Sequence, residues 1–168
     1  YGDSVANISS AATQDLRTVT TGNKALTDLR FGAWLPSLSN GALRAVFNGG
    51  VSGDTTTQMI ARESAGSSAT RKSVQDARDV GCQVLVFSPP VNDFGSFTTA
   101  TAQSTIDAAV TTALTNCTTL LTRARAFGIW PVVVSFGPYS ANAASADDNA
   151  VRRSAMRAWE QRMRAAID

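Results

Sequence analysis

The sequence predicts an α/β fold, a three-layer α/β/α sandwich around a parallel sheet. Two observations carry that expectation. Gln83 to Ser88 and Ile129 to Phe136 are continuous β-branched and aromatic runs, the pattern of strands buried on both faces. Between them, and again near the C-terminal side, apolar residues recur at three- and four-residue steps, so helices alternate with strands.

The elements follow in chain order. Short helices are expected over 33–44, 55–63 and 69–80, the last ended by Gly81, with Ala45 to Asn48 a short strand candidate. Glu63 to Ala69 is rich in Ser and Ala and reads as a flexible connection. After the first long strand, Ile106, Ala109, Val110, Ala113, Leu114, Cys117, Leu120, Leu121 and Ala124 form one apolar stripe with threonines opposite, and Gly128 supplies the stop. Strand, helix and strand make a βαβ unit, expected to be right-handed. Pro131 moves the start of the second strand to an edge or entry position. The last helix is expected from about Ser145, capped with Asp148, and carries Val151, Ala155, Trp159 and Met163 at four-residue steps.

Composition sets outer bounds. The 168 residues fit one domain spanning 1–168, long enough to bury a substantial core. Hydrophobic residues are 43% and charged residues 17%, the balance of a soluble globule. A net charge of +2 argues against nucleic-acid binding, and Arg152, Arg153, Arg157, Arg162 and Arg164 are interleaved with Asp147, Asp148 and Glu160 as a solvated helix face is. The apolar runs are far shorter than a membrane span requires. The chain opens on Tyr without a charged-then-apolar leader, so any targeting segment is expected to have been removed or to lie upstream; this leaves the compartment unread, with a lean to secreted or extracellular. Cys82 and Cys117 lack metal-ligand spacing; free thiols are favoured over a disulfide, with Cys117 on a helix stripe. The Asn7-Ile8-Ser9 and Asn116-Cys117-Thr118 sequons are weak, the second because it falls mid-helix.

Three blocks stand out for chemistry: Tyr1-Gly2-Asp3-Ser4-Val5, Asn48-Gly49-Gly50-Val51-Ser52-Gly53-Asp54, and Pro90-Val91-Asn92-Asp93. Taken singly, each has an ordinary reading: a capping serine, a glycine-rich turn, a turn pair after a strand. The middle block is not a phosphate loop, since it lacks the Gly-Lys-Ser/Thr ending and does not satisfy G-x-G-x-x-G. Separations of 49 and 39 residues leave room for strand-helix-strand units between the blocks. All three then fall at the carboxyl ends of parallel strands, where open α/β sheets bind ligands.

Together the blocks resemble the SGNH/GDSL hydrolases, a family of serine esterases and lipases with a flavodoxin-like parallel sheet. The resemblance implies Ser4 as nucleophile, with the Gly53 N–H and the Asn92 side chain stabilising the oxyanion. It implies no metal and no cofactor, and a small-molecule, glycan or lipid ester as substrate. Asp54 and the threonines after it suit a helix start, whose N-terminus would add partial positive charge nearby. Trp34, Phe94, Phe97 and Tyr139 are pocket-wall or core candidates.

Two departures accompany the resemblance. Pro90 stands where the family has glycine before x-Asn-Asp, which makes the turn holding Asn92 different. The chain also contains no histidine, and neither Lys24 nor Lys72 forms a Ser-x-x-Lys pattern with Ser4. The triad Asp and His are therefore expected beyond Asp168, and the strand before Ser4 is expected upstream. A piece lacking that central strand is expected to be unstable by itself. The alternative is a non-catalytic module of the same fold, kept for carbohydrate or protein binding in a larger assembly, which the missing histidine supports directly.

Overall fold

The computed structural model describes residues 49–51, 53–65, 73–87, 90–134 and 150–167. They form a mixed helix and strand fold with a parallel strand pair. In order these are α1 (Thr56–Ala65), α2 (Val74–Asp79), β1 (Val84–Phe87), a 3₁₀ turn (Val91–Phe94), α3 (Gln103–Ala126), β2 (Trp130–Val133) and α4 (Ala150–Ile167). The expected elements over 33–44, 45–48 and around Ser145, like Ser4, Lys24, Trp34, Lys72 and Tyr139, lie outside the described residues.

Local chemistry explains where the helices start and stop. At α1, Thr55 N–H donates to Gln58 Oε1 at 2.8 Å and Gln58 N–H returns to Thr55 Oγ1 at 3.4 Å, a reciprocal cap. At α2, Ser73 and Asp76 make the same exchange. Glu63 Oε1 takes the next orphan donor, Val74 N–H, at 2.8 Å. Glu63 to Ala65 belong to α1, so the start of the expected flexible connection is instead helical. The side chain of Glu63 explains the difference: it caps α2 and pairs with Arg123 at 3.0 Å, ties that a local reading of composition cannot see.

Both helices that lead into strands end in the same way. Gly81 and Gly128 take φ of +78° and +74°. Gly81 N–H donates to Arg78 O and Cys82 N–H to Ala77 O, each at 2.9 Å; Gly128 donates to Arg125 O and Ile129 to Ala124 O, also at 2.9 Å. These are Schellman motifs, which satisfy carbonyls that the helix leaves open and turn the chain sharply into β1 and β2.

β1 and β2 pair in parallel, with Val84 opposite Trp130 and Phe87 opposite Val133. Trp130 N–H donates to Gln83 O and Val134 N–H to Phe87 O, so the donors to β1 come from even-numbered residues. Pro131 falls between them, where its missing N–H costs this ladder no bond. Leu85 and Phe87 are buried, and Val133 packs against the core. The other face departs from the expectation of two-sided burial: Val84, Val132 and Val134 are exposed and Trp130 is 72% exposed. Alternating strand residues point to opposite faces, and the described helices cover one of them.

α3 is the hub, packed against α1, α2, α4, β2 and the 3₁₀ turn. Its buried stripe is Ile106, Val110, Ala113, Cys117, Leu120, Leu121 and Ala124. The hydroxyls of Thr111, Thr118 and Thr119 donate back to carbonyls one turn earlier. On α4, Ala155, Trp159 and Met163 recur at four-residue steps and are buried with Met156. Side chains of this kind contribute about 1.5–3 kcal/mol each when fully buried. Phe94 and Phe97 belong to the same core, their ring centroids 5.9 Å apart. Cys82 and Cys117 are both free thiols. No helix among the described residues is long and apolar enough to cross a membrane.

Candidate active site

The glycine-rich loop is held from within and from outside. Asp54 N–H donates to Val51 O at 3.3 Å, closing a four-residue turn with Gly53 at its third position. Gly53 adopts φ +81°, the conformation a type II turn requires there and one that glycine takes at no steric cost. A Cβ built at Gly53 would meet no atom of the described residues within 4 Å, and the backbone angle favours glycine by itself.

Asp54 points inward. Its carboxylate lies 3.3 Å from Arg62 Nε, with both side chains almost fully buried, and Arg62 Nη1 donates to Gly49 O at 2.8 Å. Charged groups removed from water need such partners, since the desolvation of each costs several kcal/mol. Arg62 and Glu63 sit three and four residues after buried Met59, on the stripe where an amphipathic helix carries apolar residues. That misplaced pair of charges was the available sequence signal for a tertiary tie.

The third block meets the second directly. Asn92 lies in the 3₁₀ turn, and its Nδ2 donates to the Asp54 carbonyl at 3.1 Å across 38 residues of sequence. Pro90 takes φ −80° and its carbonyl accepts from Asp93 N–H at 3.3 Å, so the proline opens the turn that carries Asn92. Asp93 reaches the same region by another route. Its Oδ2 accepts from Thr56 N–H at 2.9 Å and its Oδ1 from Thr56 Oγ1 at 2.5 Å. Asn92 and Asp93 thus form a turn locally while their side chains clasp the start of α1. Thr56 N–H at the α1 N-terminus, expected to lend positive charge to the site, is engaged by the Asp93 carboxylate.

Asn116 completes the clasp. From the middle of α3 its Nδ2 donates to Thr56 Oγ1 at 3.2 Å and to Thr57 Oγ1 at 3.3 Å. Asparagine is a poor helix former, and its place on the long helix is explained by these bonds. In the sequence Asn116 is marked only as the first residue of a sequon, and the tie is tertiary.

Electrostatics sorts the titratable groups nearby. Burial pushes the Asp93 carboxyl up from its ordinary value, while the two hydrogen bonds from Thr56 oppose the rise. The Cys117 thiol is pushed up to about 12 by burial, with Asp93 as a second cause, which makes it inert as a nucleophile at neutral pH. Among the described residues no group of three Cys, Asp or Glu could hold a metal ion.

The raised Asp93 value predicts a pH dependence of stability. Between the ordinary aspartate value of 3.8 and its own higher one, the folded chain holds more proton at Asp93 than the unfolded chain does. The contribution to stability is therefore fully present below 3.8 and is lost as pH rises through the folded value. Urea unfolding of the parent and Asp93→Asn, followed over about pH 3 to 7, is expected to show the parent losing stability relative to the variant and then levelling off. A parent that instead gains stability over the variant with rising pH would overturn the assignment.

Gly53 and Asn92 are therefore brought to either side of Asp54, Gly53 preceding it in the chain and Asn92 bound to its carbonyl. Ser4, the third predicted site residue, lies outside the described residues. Compared with protein-family models, with curated proteins and with solved structures, the chain finds no match.

Proposed function

We propose that this chain is part of a serine esterase domain of the SGNH/GDSL type, with the three-layer α/β/α architecture of that family. The observation that carries the reading is the 3.1 Å bond from the Asn92 carboxamide to the carbonyl of Asp54, next to Gly53. Two donors suited to an oxyanion, far apart in sequence, share one residue, Asp54, as neighbour. In the proposed reaction Ser4 Oγ attacks the carbonyl carbon of an ester while its proton passes to a histidine supplied from outside these 168 residues. The Gly53 N–H and the Asn92 Nδ2 stabilise the tetrahedral oxyanion. The alcohol leaves with a proton, and water then hydrolyses the acyl-serine by the same steps in reverse order. No metal and no cofactor enters, and acylated sugars, lipids and small carboxylic esters are the proposed substrates.

The test is covalent. Full-length protein treated with a fluorophosphonate is expected to gain one phosphonyl group, with loss of fluoride, on the peptide that carries Ser4. Tandem mass spectrometry locates the adduct. A folded full-length protein that stays unmodified at Ser4 would support the non-catalytic binding module, the reading favoured by the absence of histidine from the sequence.

A further inference from the structure

We infer that Arg62 is a positioning residue that staples both ends of the glycine loop and thereby sets the direction of the Gly53 N–H. The role in turnover rests on the esterase reading; the staple itself does not. Arg62 Nη1 donates to Gly49 O at 2.8 Å, while Arg62 Nε pairs with the Asp54 carboxylate at 3.3 Å. One guanidinium thus holds the residue at the start of the loop and the residue after Gly53. The bond to Gly49 O is directional and the contact with Asp54 is a close charge pair, two roles on one rigid guanidinium, whereas an ammonium is a single point charge on a flexible stem.

The loop needs such a tie. Gly49, Gly50 and Gly53 lose more conformational freedom on ordering than other residues do, and beside the turn from Val51 to Asp54 and a β-bridge at Gly50, Arg62 ties the loop at Gly49 and Asp54. The ion pair is 2% and 3% exposed at its two side chains, a placement that stability alone does not explain. Well-packed apolar side chains frequently do as well as a buried pair, so shape is the more economical reason for retaining one. Asp54 also links the two proposed oxyanion donors: its carboxylate takes Arg62, its carbonyl takes Asn92, and its nitrogen follows Gly53. A displacement of Asp54 on loss of Arg62 moves both donors together.

Arg62→Met and Arg62→Lys in the full-length protein test this. Fluorophosphonate titration counts competent sites, so turnover is expressed per labelled site and does not register a loss of folded material. Arg62→Met is expected to lower kcat per labelled site by about tenfold or more, as small misplacements at a reacting centre do. KM stays within about twofold, because oxyanion contacts act in the transition state. Arg62→Lys falls between Met and parent. The Gly53 amide resonance in a ¹H–¹⁵N spectrum moves in both variants and stays in place in Met163→Ala, a core substitution on α4 that lowers stability without touching the loop. Unchanged kcat per labelled site in Arg62→Met, with Ser4 labelled in parent and variant, would overturn the positioning role and leave the esterase reading standing. If the parent itself is not labelled at Ser4, the esterase reading fails, and the Gly53 resonance decides the staple: unmoved in Arg62→Lys, the inference falls. Should Arg62→Met not fold, the lysine variant supplies both readouts.

Discussion

Ser4→Ala in the full-length protein is expected to reduce hydrolysis of a chromogenic acetate ester to the level left by binding and oxyanion stabilisation alone. In serine hydrolases whose nucleophile is removed, turnover falls by about 10⁶, with about 10³ to 10⁴ over the uncatalysed rate remaining. The physical reason is that alanine leaves no oxygen to form the acyl intermediate, so water must attack the ester in one harder step. Fluorophosphonate labelling at Ser4 disappears in the same variant. A parent and variant that hydrolyse the ester at equal rates would remove Ser4 from the mechanism, whatever the loop geometry.

Asn92→Ala is expected to lower kcat by about 10² to 10³ with little change in KM, the loss seen when one oxyanion donor is deleted elsewhere. The variant also loses the bond to the Asp54 carbonyl, so part of the effect can arise from a shifted loop. Thr56→Val separates the two contributions. It removes the hydroxyl that binds Asp93 and Asn116, loosening the clasp at α1 while leaving the Asn92 amide in place. Direct participation of Asn92 is expected to make its own deletion far the more damaging to kcat, with Thr56→Val acting chiefly on stability. Equal kcat losses in the two variants would reduce Asn92 to a loop support.

The backbone of the fold was legible in local patterns. The stripe on α3, the glycines that end α2 and α3, the start of α1 and the four-residue steps on α4 all express spacing, capping chemistry and positive φ, which neighbours in sequence settle among themselves. The expectations that changed involve distant partners. Glu63 looked like the edge of a flexible connection and is held by α2 and α3. Phe94 and Phe97 were open to either reading and fill the core. The apolar runs looked doubly buried, yet Val84 and Trp130 lie on an exposed face.

Of the site, the sequence by itself determined the residue types: a glycine where the loop turns with φ +81°, and an asparagine and an aspartate in the turn that follows a strand. Only the tertiary structure decided that Asn92 binds the Asp54 carbonyl, that Asp93 closes the start of α1, and that Arg62 and Asn116 brace them. The reason is range. A helix stripe or a cap is chosen by residues three or four apart, whereas the Asn92 and Asp93 bonds span 38 and 37 residues and exist only where the chain has been folded back upon itself.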